Sequence, residues 1–269
     1  MAKGLSLHIG LNRVDPRHYE GWDGVLNACE ADARDMQALA KANQFKPMGL
    51  LLTEHATTGA VSRAIRKAAR TLGKGDIFFM TYSGHGGQVR DTNGDEKDDR
   101  MDETWVLFDR QLVDDELYAL WGGFKTGVRI LVLSDSCHSG SVVRMAPPMI
   151  SGGPRVRLMP RQVGEKVEAA HQALYRAIQA AHPGAETAKV KASVLLISGC
   201  MDNQTSLDGD HNGAFTEMLM RVWNGGKFRG SYRRFRDTIV SRMPSSQTPN
   251  YFFVGAPDRA FETERPFKI

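Results

Sequence analysis

The amino-acid sequence predicts an α/β protein with a mostly parallel central sheet and helices on both of its faces. Apolar runs of strand length alternate along the chain with amphipathic segments of helical period. The strand-like runs are apolar throughout, as is typical of parallel strands that are covered on both faces. At 269 residues, of which 41% are hydrophobic, the chain is long enough for one domain with a large core.

Six apolar runs are predicted to form the strands of this sheet: 5–11, 49–53, 77–82, 129–134, 193–198 and 250–255. Six amphipathic segments are predicted to be helices: 24–43, 58–72, 113–121, 162–182, 213–224 and 230–241. No internal repeat is visible, so we interpret residues 1–269 as a single domain.

Two stretches do not fit this alternation. The first, "RDTNGDEKDDRMDE" (90–103), is acidic and almost devoid of apolar residues. The second, "RMAPPMISGGPRVRLMPRQ" (144–162), contains four prolines, and we interpret it as a mobile surface loop because loops this long are usually functional or disordered. It separates a larger part (1–143) from a smaller part whose boundaries are about 190–269.

Composition excludes several classes of protein. The net charge of +4, from 35 basic and 31 acidic residues, does not indicate a nucleic-acid partner. No apolar run approaches the ~18 residues of a membrane span, and the N-terminus does not resemble a signal peptide. The cysteines are Cys29, Cys137 and Cys200. Since no C-x-x-C pair exists, neither a disulfide framework nor a zinc site is indicated, and we expect a cytoplasmic protein.

Polar residues follow two of the predicted strands at the point where each strand ends. "SGHGG" follows 77–82, and "DSCHSGS" follows 129–134. Because ligands bind at the carboxyl ends of parallel strands, His85 and Cys137 are expected to open onto the same edge of the sheet. A nearby imidazole assists deprotonation of a thiol, and the N–H of Gly86 can face a developing oxyanion. This pattern favours nucleophilic catalysis.

The motifs "YSGHGG" and "DSCHSGS" resemble those of the metacaspases, whose bacterial form is often called orthocaspases. "NACEADA" (27–33), "VDDEL" (113–117) and "SGCMDNQTS" (198–206) also fall where that family has similar segments. The resemblance implies a three-layer caspase-like sandwich and a thiol protease. It also implies that Cys137 is the nucleophile and His85 the general acid/base of a Cys–His dyad. The N–H groups of Gly86 and Cys137 would form the oxyanion hole.

The same resemblance implies an acidic slot for the substrate residue that precedes the scissile bond. Asp32 and Asp135 would supply its carboxylates, with Ser83 and Cys29 on its walls. Two carboxylates favour Arg or Lys through charge-assisted hydrogen bonds and repel acidic side chains. We therefore expect protein or peptide substrates that are cleaved after Arg or Lys.

Calcium is an open question at this point. The resemblance implies a Ca²⁺ site, and Asp102, Asp114 and Asp115 match three of its four ligands, whereas Arg144 occupies the fourth position. A cation at a ligand position repels Ca²⁺, so we expect weak or no calcium dependence and no required cofactor. The acidic stretch also matches an EF-hand loop weakly, at Asp91, Asn93, Asp95 and Asp102, but Glu96 replaces its glycine.

Self-processing is a further hypothesis, because the proline-rich stretch offers basic residues that suit the slot: Arg144, Arg155, Arg157 and Arg161. A plain flexible linker is the alternative. Two other functions stay open for the whole chain. One is a catalytically silent caspase-fold binding or regulatory module, and the other is a calcium-binding scaffold. The resemblance further implies a monomer.

Overall fold

The structure, a computed structural model, describes residues 2–94, 96, 99–137, 155–184, 189–200, 204 and 206–269. Its central sheet has six strands: β1 (Gly4–Gly10), β2 (Lys46–Leu52), β3 (Ile77–Ser83), β7 (Arg129–Asp135), β8 (Ser193–Ser198) and β9 (Asn250–Gly255). Their order is β2-β1-β3-β7-β8-β9, and every pair is parallel except β8 with β9. The predicted mostly parallel sheet is therefore confirmed.

Eight α-helices accompany this sheet in the described part of the chain: α1 (Cys29–Ala42), α2 (Thr58–Thr71), α3 (Asp114–Gly122), α4 (Arg161–Ala170), α5 (Gln172–Ala181), α6 (Ala214–Trp223), α7 (Tyr232–Val240) and α8 (Arg259–Thr263). Helices α2 and α3 pack on one face of the sheet, and α1, α6, α7 and α8 pack on the other. Side chains alternate between these layers along each strand, so that Phe78 faces the first and Phe79 the second. The fold is a three-layer sandwich, as predicted.

A second, smaller sheet is antiparallel and was not predicted. It consists of β4 (Gly86–Arg90), β5 (Met101–Val106) and β6 (Gln111–Val113). The acidic stretch 90–103 forms the connection between β4 and β5. There the Asp91 carboxylate accepts hydrogen bonds from the backbone N–H groups of Asn93 and Gly94, at 2.8 and 2.7 Å. Asp91 thus closes its own turn at the start of this connection.

The predicted mobile loop 144–162 lies partly outside the described residues, which exclude 144–154. The described remainder is ordered instead. Val156 forms a β-bridge with Leu207, and Leu158 forms one with Gly86. Between them the Arg157 side chain is fully buried, and α4 begins at Arg161. Backbone pairing on both sides of a buried, ion-paired arginine explains why this segment is held against the sheet.

No helix in the described ranges has both the length and the apolar character that crossing a membrane requires.

Candidate active site

The two predicted tips lie side by side because their strands are neighbours in the sheet. Ser83 at the end of β3 pairs in register with Asp135 at the end of β7. His85 and Cys137 each follow two residues later. The backbone N–H groups of Gly86 and Cys137 converge on one atom, the carbonyl oxygen of Arg157, at 3.0 and 3.2 Å. Two donors aimed at one carbonyl oxygen have the geometry of an oxyanion hole.

Close packing at this point requires a glycine at position 86. A Cβ atom built on Gly86 would lie 1.5 Å from the carbonyl oxygen of Cys137. That neighbour is backbone and cannot turn aside. Any larger residue would therefore push apart the two chain segments that carry the N–H groups.

The hydrogen bonding of His85 fixes which of its nitrogen atoms carries the proton. Nε2 lies 2.9 Å from the carbonyl oxygen of Gly24, which can only accept, so Nε2 is the donor. Nδ1 is buried and has no hydrogen-bond partner among the described residues. In the neutral ring it therefore keeps a lone pair that can accept a proton. Burial lowers the pKa of His85 to about 4, which keeps the ring neutral at physiological pH.

The Cys137 thiol is buried next to the loop that follows β8. The backbone N–H of Ser206 donates to Sγ at 2.7 Å. Burial is the largest influence on this thiol and raises its pKa well above the usual value, with a further increase from the neighbouring Cys200 thiol. With Arg157 in place beside them, the Cys137 thiol and the His85 imidazole are therefore both uncharged.

The predicted slot contains the guanidinium group of Arg157. Nη1 donates to Ser83 Oγ at 2.9 Å and lies 3.1 Å from Asp135 Oδ2. Nη2 donates to Asp32 Oδ2 at 2.8 Å. Three of the four predicted slot residues therefore surround one buried arginine. The fourth, Cys29, is fully buried, and burial raises the pKa of its thiol to about 12, so it is an uncharged part of the surroundings.

Other polar groups hold the slot carboxylates in place. Asp32 Oδ1 accepts hydrogen bonds from the Asn212 side chain and the Gly213 backbone at 2.9 and 3.0 Å. Asp135 Oδ2 accepts from the backbone N–H and the hydroxyl of Thr216 at 3.0 and 2.8 Å. Burial nevertheless raises the pKa of Asp32 to about 6, against the opposing effect of the arginine. The slot is therefore rigid and dependent on a bound cation for charge balance.

A third slot carboxylate, Asp208, was missed by the sequence reasoning. Its Oδ1 lies 3.0 Å from Nη2 of Arg157, and its side chain is 2% exposed. Asp208 follows β8 by ten residues, within a loop for which no local periodicity predicts a position. The only sequence signal for Asp208 was that it is a carboxylate downstream of a strand that borders the site.

The candidate calcium ligands lie on β5 and α3, on elements other than those that carry Asp32 and Asp135. Asp114 Oδ2 accepts the backbone N–H of Glu103 at 3.2 Å, and Asp115 Oδ2 accepts from the Asn93 amide at 2.9 Å. Ligand atoms that approach within 4.8 Å of one another in the described ranges belong to Glu96, Glu103 and Asp114. This donor set is all oxygen, as Ca²⁺ prefers, but it shares only Asp114 with the predicted one. Arg144 and Asp95 lie outside the described residues.

The fold and the two converging tips define a caspase-like peptidase domain. The sequence matches the peptidase family C14, described as "Caspase domain", over residues 14–260. The chain belongs to this family of cysteine peptidases. The predicted family and enzyme class are thereby confirmed.

Among its relatives, the chain is 31% identical to Metacaspase-1 of Mycosarcoma maydis, over 92% of this chain and 69% of that protein. It is 29% identical to Metacaspase-1 of Kluyveromyces lactis, over 78% of this chain and 55% of that one. The chain thus spans between about half and two thirds of the length of these relatives.

Two solved structures share the fold. Protein GSU0716 from Geobacter sulfurreducens superposes with a TM-score of 0.91 at 56% identity, covering 99% of this chain and 98% of that one. Caspase-1 from Spodoptera frugiperda superposes with a TM-score of 0.52 at 9% identity, covering 94% and 86%. The second likeness shows the caspase-like fold alone.

Proposed function

We propose that the protein is an endopeptidase that cleaves after Arg or Lys by a Cys137–His85 dyad. One observation carries this proposal: Arg157 lies in the cleft as a substrate residue would. Its carbonyl oxygen receives the N–H groups of Gly86 and Cys137, and its guanidinium fills the acidic slot. The peptide bond from Arg157 to Leu158 therefore occupies the position expected of a scissile bond.

In the acylation step, the Cys137 thiol gives its proton to Nδ1 of His85 as sulfur attacks the carbonyl carbon. A carbon–sulfur bond forms, and the carbonyl π electrons move to the oxygen, where the two N–H groups stabilise the negative charge. Because both partners are neutral at rest, proton transfer accompanies attack and does not precede it. This assignment makes His85 a general base first.

Collapse of the tetrahedral intermediate breaks the carbon–nitrogen bond. The proton on Nδ1 of His85 passes to the leaving nitrogen, which departs as an amine, and a thioester remains on Cys137. Water then attacks the thioester and gives its proton to Nδ1. The carbon–sulfur bond breaks, the thiolate recovers the proton from Nδ1, and the product leaves as a carboxylic acid that loses its remaining proton to solvent. The cycle needs no residue beyond the dyad and the two backbone donors.

The same geometry supports self-cleavage between Arg157 and Leu158. The other described arginines of the segment are placed differently. Arg155 donates to the Val25 carbonyl oxygen at the surface, and Arg161 pairs with Glu165 within α4. Of these three, only Arg157 offers both its side chain to the slot and its carbonyl oxygen to the two donors.

Hydrolysis of a fluorogenic arginyl peptide tests the proposal. We expect turnover of Arg and Lys peptides by the wild type, loss of turnover after alkylation with iodoacetamide, and none with Cys137→Ala. An aspartyl peptide of the same sequence is the control for the slot, since carboxylates would repel it. Faster cleavage after Asp than after Arg, or turnover that survives alkylation, would contradict the proposal.

We also propose a monomer that requires no cofactor and resides in the cytoplasm. All three cysteines are buried and free, which suits a reducing compartment. The mechanism above uses no metal ion, so calcium bound near Glu103 and Asp114 would act only indirectly, on the β4–β6 sheet.

A further inference from the structure

We infer that Asp208 makes the slot select arginine over lysine. This inference rests on the proposed function, because it concerns the side chain that precedes the scissile bond. It names a specificity-determining residue outside the set that the sequence predicts: Asp32, Ser83, Asp135 and Cys29.

The slot contacts the arginine fork at both of its terminal nitrogen atoms. At Nη1 the partners are Ser83 Oγ, at 2.9 Å, and the backbone and side-chain oxygens of Asp135, at 3.2 and 3.1 Å. At Nη2 the partners are Asp32 Oδ2, at 2.8 Å, and Asp208 Oδ1, at 3.0 Å. Asp208 and Asp32 therefore share one nitrogen, and Asp135 and Ser83 share the other.

A lysine side chain cannot serve both ends of this arrangement. Arginine presents donors in a rigid planar fork, whereas lysine presents a single ammonium nitrogen on a flexible stem. An ammonium that contacts Ser83 and Asp135 leaves Asp208 without a cation. An ammonium that contacts Asp32 and Asp208 instead leaves Asp135 without one. A buried carboxylate that loses its cation is destabilised by the full cost of its burial. The third carboxylate thus turns a slot for basic residues into a slot for arginine.

Asp208 is held in place by contacts that do not depend on the occupant. The backbone N–H of Asn27 donates to Oδ2 at 2.7 Å, and that of Ala28 donates to Oδ1 at 3.3 Å. These groups directly precede α1, the helix that carries Asp32. The carboxylate is therefore positioned before the substrate arrives and cannot swing out to relieve an unfavourable pairing.

The experiment compares kcat/KM for two fluorogenic peptides that differ only in Arg or Lys before the scissile bond. The variants are wild type, Asp208→Asn and, as the matched control, Asp210→Asn, an exposed carboxylate two residues further along the same loop. We expect the wild type to prefer Arg over Lys by about tenfold or more, the value of one charge-assisted hydrogen bond. Asp208→Asn should lower this ratio by about tenfold, mainly through the Arg peptide, while Asp210→Asn leaves it unchanged.

Each outcome has a separate meaning. A wild-type ratio near one, or an equal loss for both peptides in Asp208→Asn, would overturn the inference while leaving the proposed function intact. Wild-type protein that hydrolyses neither peptide would instead contradict the proposed function. If Asp208→Asn does not fold, two measurements on the wild type decide. One is the ratio of kcat/KM for the Arg and Lys peptides, and the other is cleavage of a peptide carrying citrulline, the uncharged analogue of arginine. We expect the citrulline peptide to be cleaved at least about tenfold more slowly than the Arg peptide.

Discussion

Replacing Arg157 with methionine should destabilise the protein far more than the same substitution at an exposed residue of this segment. We consider Arg157→Met in a Cys137→Ala background, so that no self-cleavage complicates the measurement. The guanidinium is fully buried and lies within 3.1 Å of three carboxylates, those of Asp32, Asp135 and Asp208. Methionine replaces the apolar stem of the side chain but removes the cation that contacts all three carboxylates.

Removing one partner of a buried ion pair typically costs about 3–5 kcal/mol, because the remaining charge stays buried without compensation. Burial already raises the pKa of Asp32 to about 6 with the arginine present. Without the cation, Asp32 is expected to take up a proton near neutral pH, which removes one of the three uncompensated charges. We therefore expect a loss near the lower end, about 3 kcal/mol in the free energy of unfolding.

Urea denaturation of the Cys137→Ala protein and of its Arg157→Met variant, followed by tryptophan fluorescence, measures this difference in the free energy of unfolding. The matched control is Arg155→Met in the same background, since the Arg155 side chain is exposed and donates to the Val25 carbonyl oxygen at the surface. That change should stay within about 0.5 kcal/mol. Benzamidine should then stabilise the Arg157→Met protein by about 1.4 kcal/mol at ten times its Kd, and leave the Arg155→Met protein unaffected. Equal unfolding midpoints for the two arginine variants would show that the buried cation does not stabilise the fold.

Three further predictions concern catalysis, pH and calcium. Gly86→Ala should lower kcat by about 100-fold or more, because the added Cβ displaces an oxyanion donor. Gly122→Ala is the control and should leave kcat unchanged, since nothing lies within 4 Å of its added Cβ. Equal kcat values for the two variants would count against the oxyanion hole. Burial lowers the pKa of His8 to about 3, so its stabilising contribution is complete above pH 6.5 and declines as pH falls towards 3. Between pH 7 and 5 the wild type should therefore lose about 2 kcal/mol more in free energy of unfolding than His8→Gln, and parallel pH profiles would exclude this effect. EGTA should leave hydrolysis of arginyl peptides essentially unchanged, while activity that disappears with EGTA and returns with Ca²⁺ would show dependence on the ion.

The central sheet could be predicted because its strands carry the signal within themselves. All six predicted runs became strands, since each is a short run of mainly apolar residues bounded by a polar tip. The β4–β6 sheet could not be predicted in the same way. Strand β4 contains two glycines, and β5 contains two adjacent acidic residues, Asp102 and Glu103, so neither shows a clear apolar run.

Only the site residues that belong to recognisable sequence motifs could be predicted. His85 and Cys137 follow strands directly, and their shared edge follows from the parallel arrangement. The position of Arg157 depends on an ion pair with a residue 125 positions away in the chain, and that of Asp208 on contacts with backbone groups about 180 positions away. Long-range pairing of this kind leaves no local pattern. A proline-rich composition therefore indicated a mobile loop where the structure has a buried arginine.

We propose that Arg157 directly precedes a peptide bond which Cys137 can cleave. Intact-mass analysis of wild-type protein beside Cys137→Ala, after the same incubation, tests it most directly. We expect the wild type to yield two chains, one ending at Arg157 and one beginning at Leu158, while Cys137→Ala stays whole. A wild-type chain that hydrolyses arginyl peptides yet remains uncut, or is cut at another residue, would contradict it.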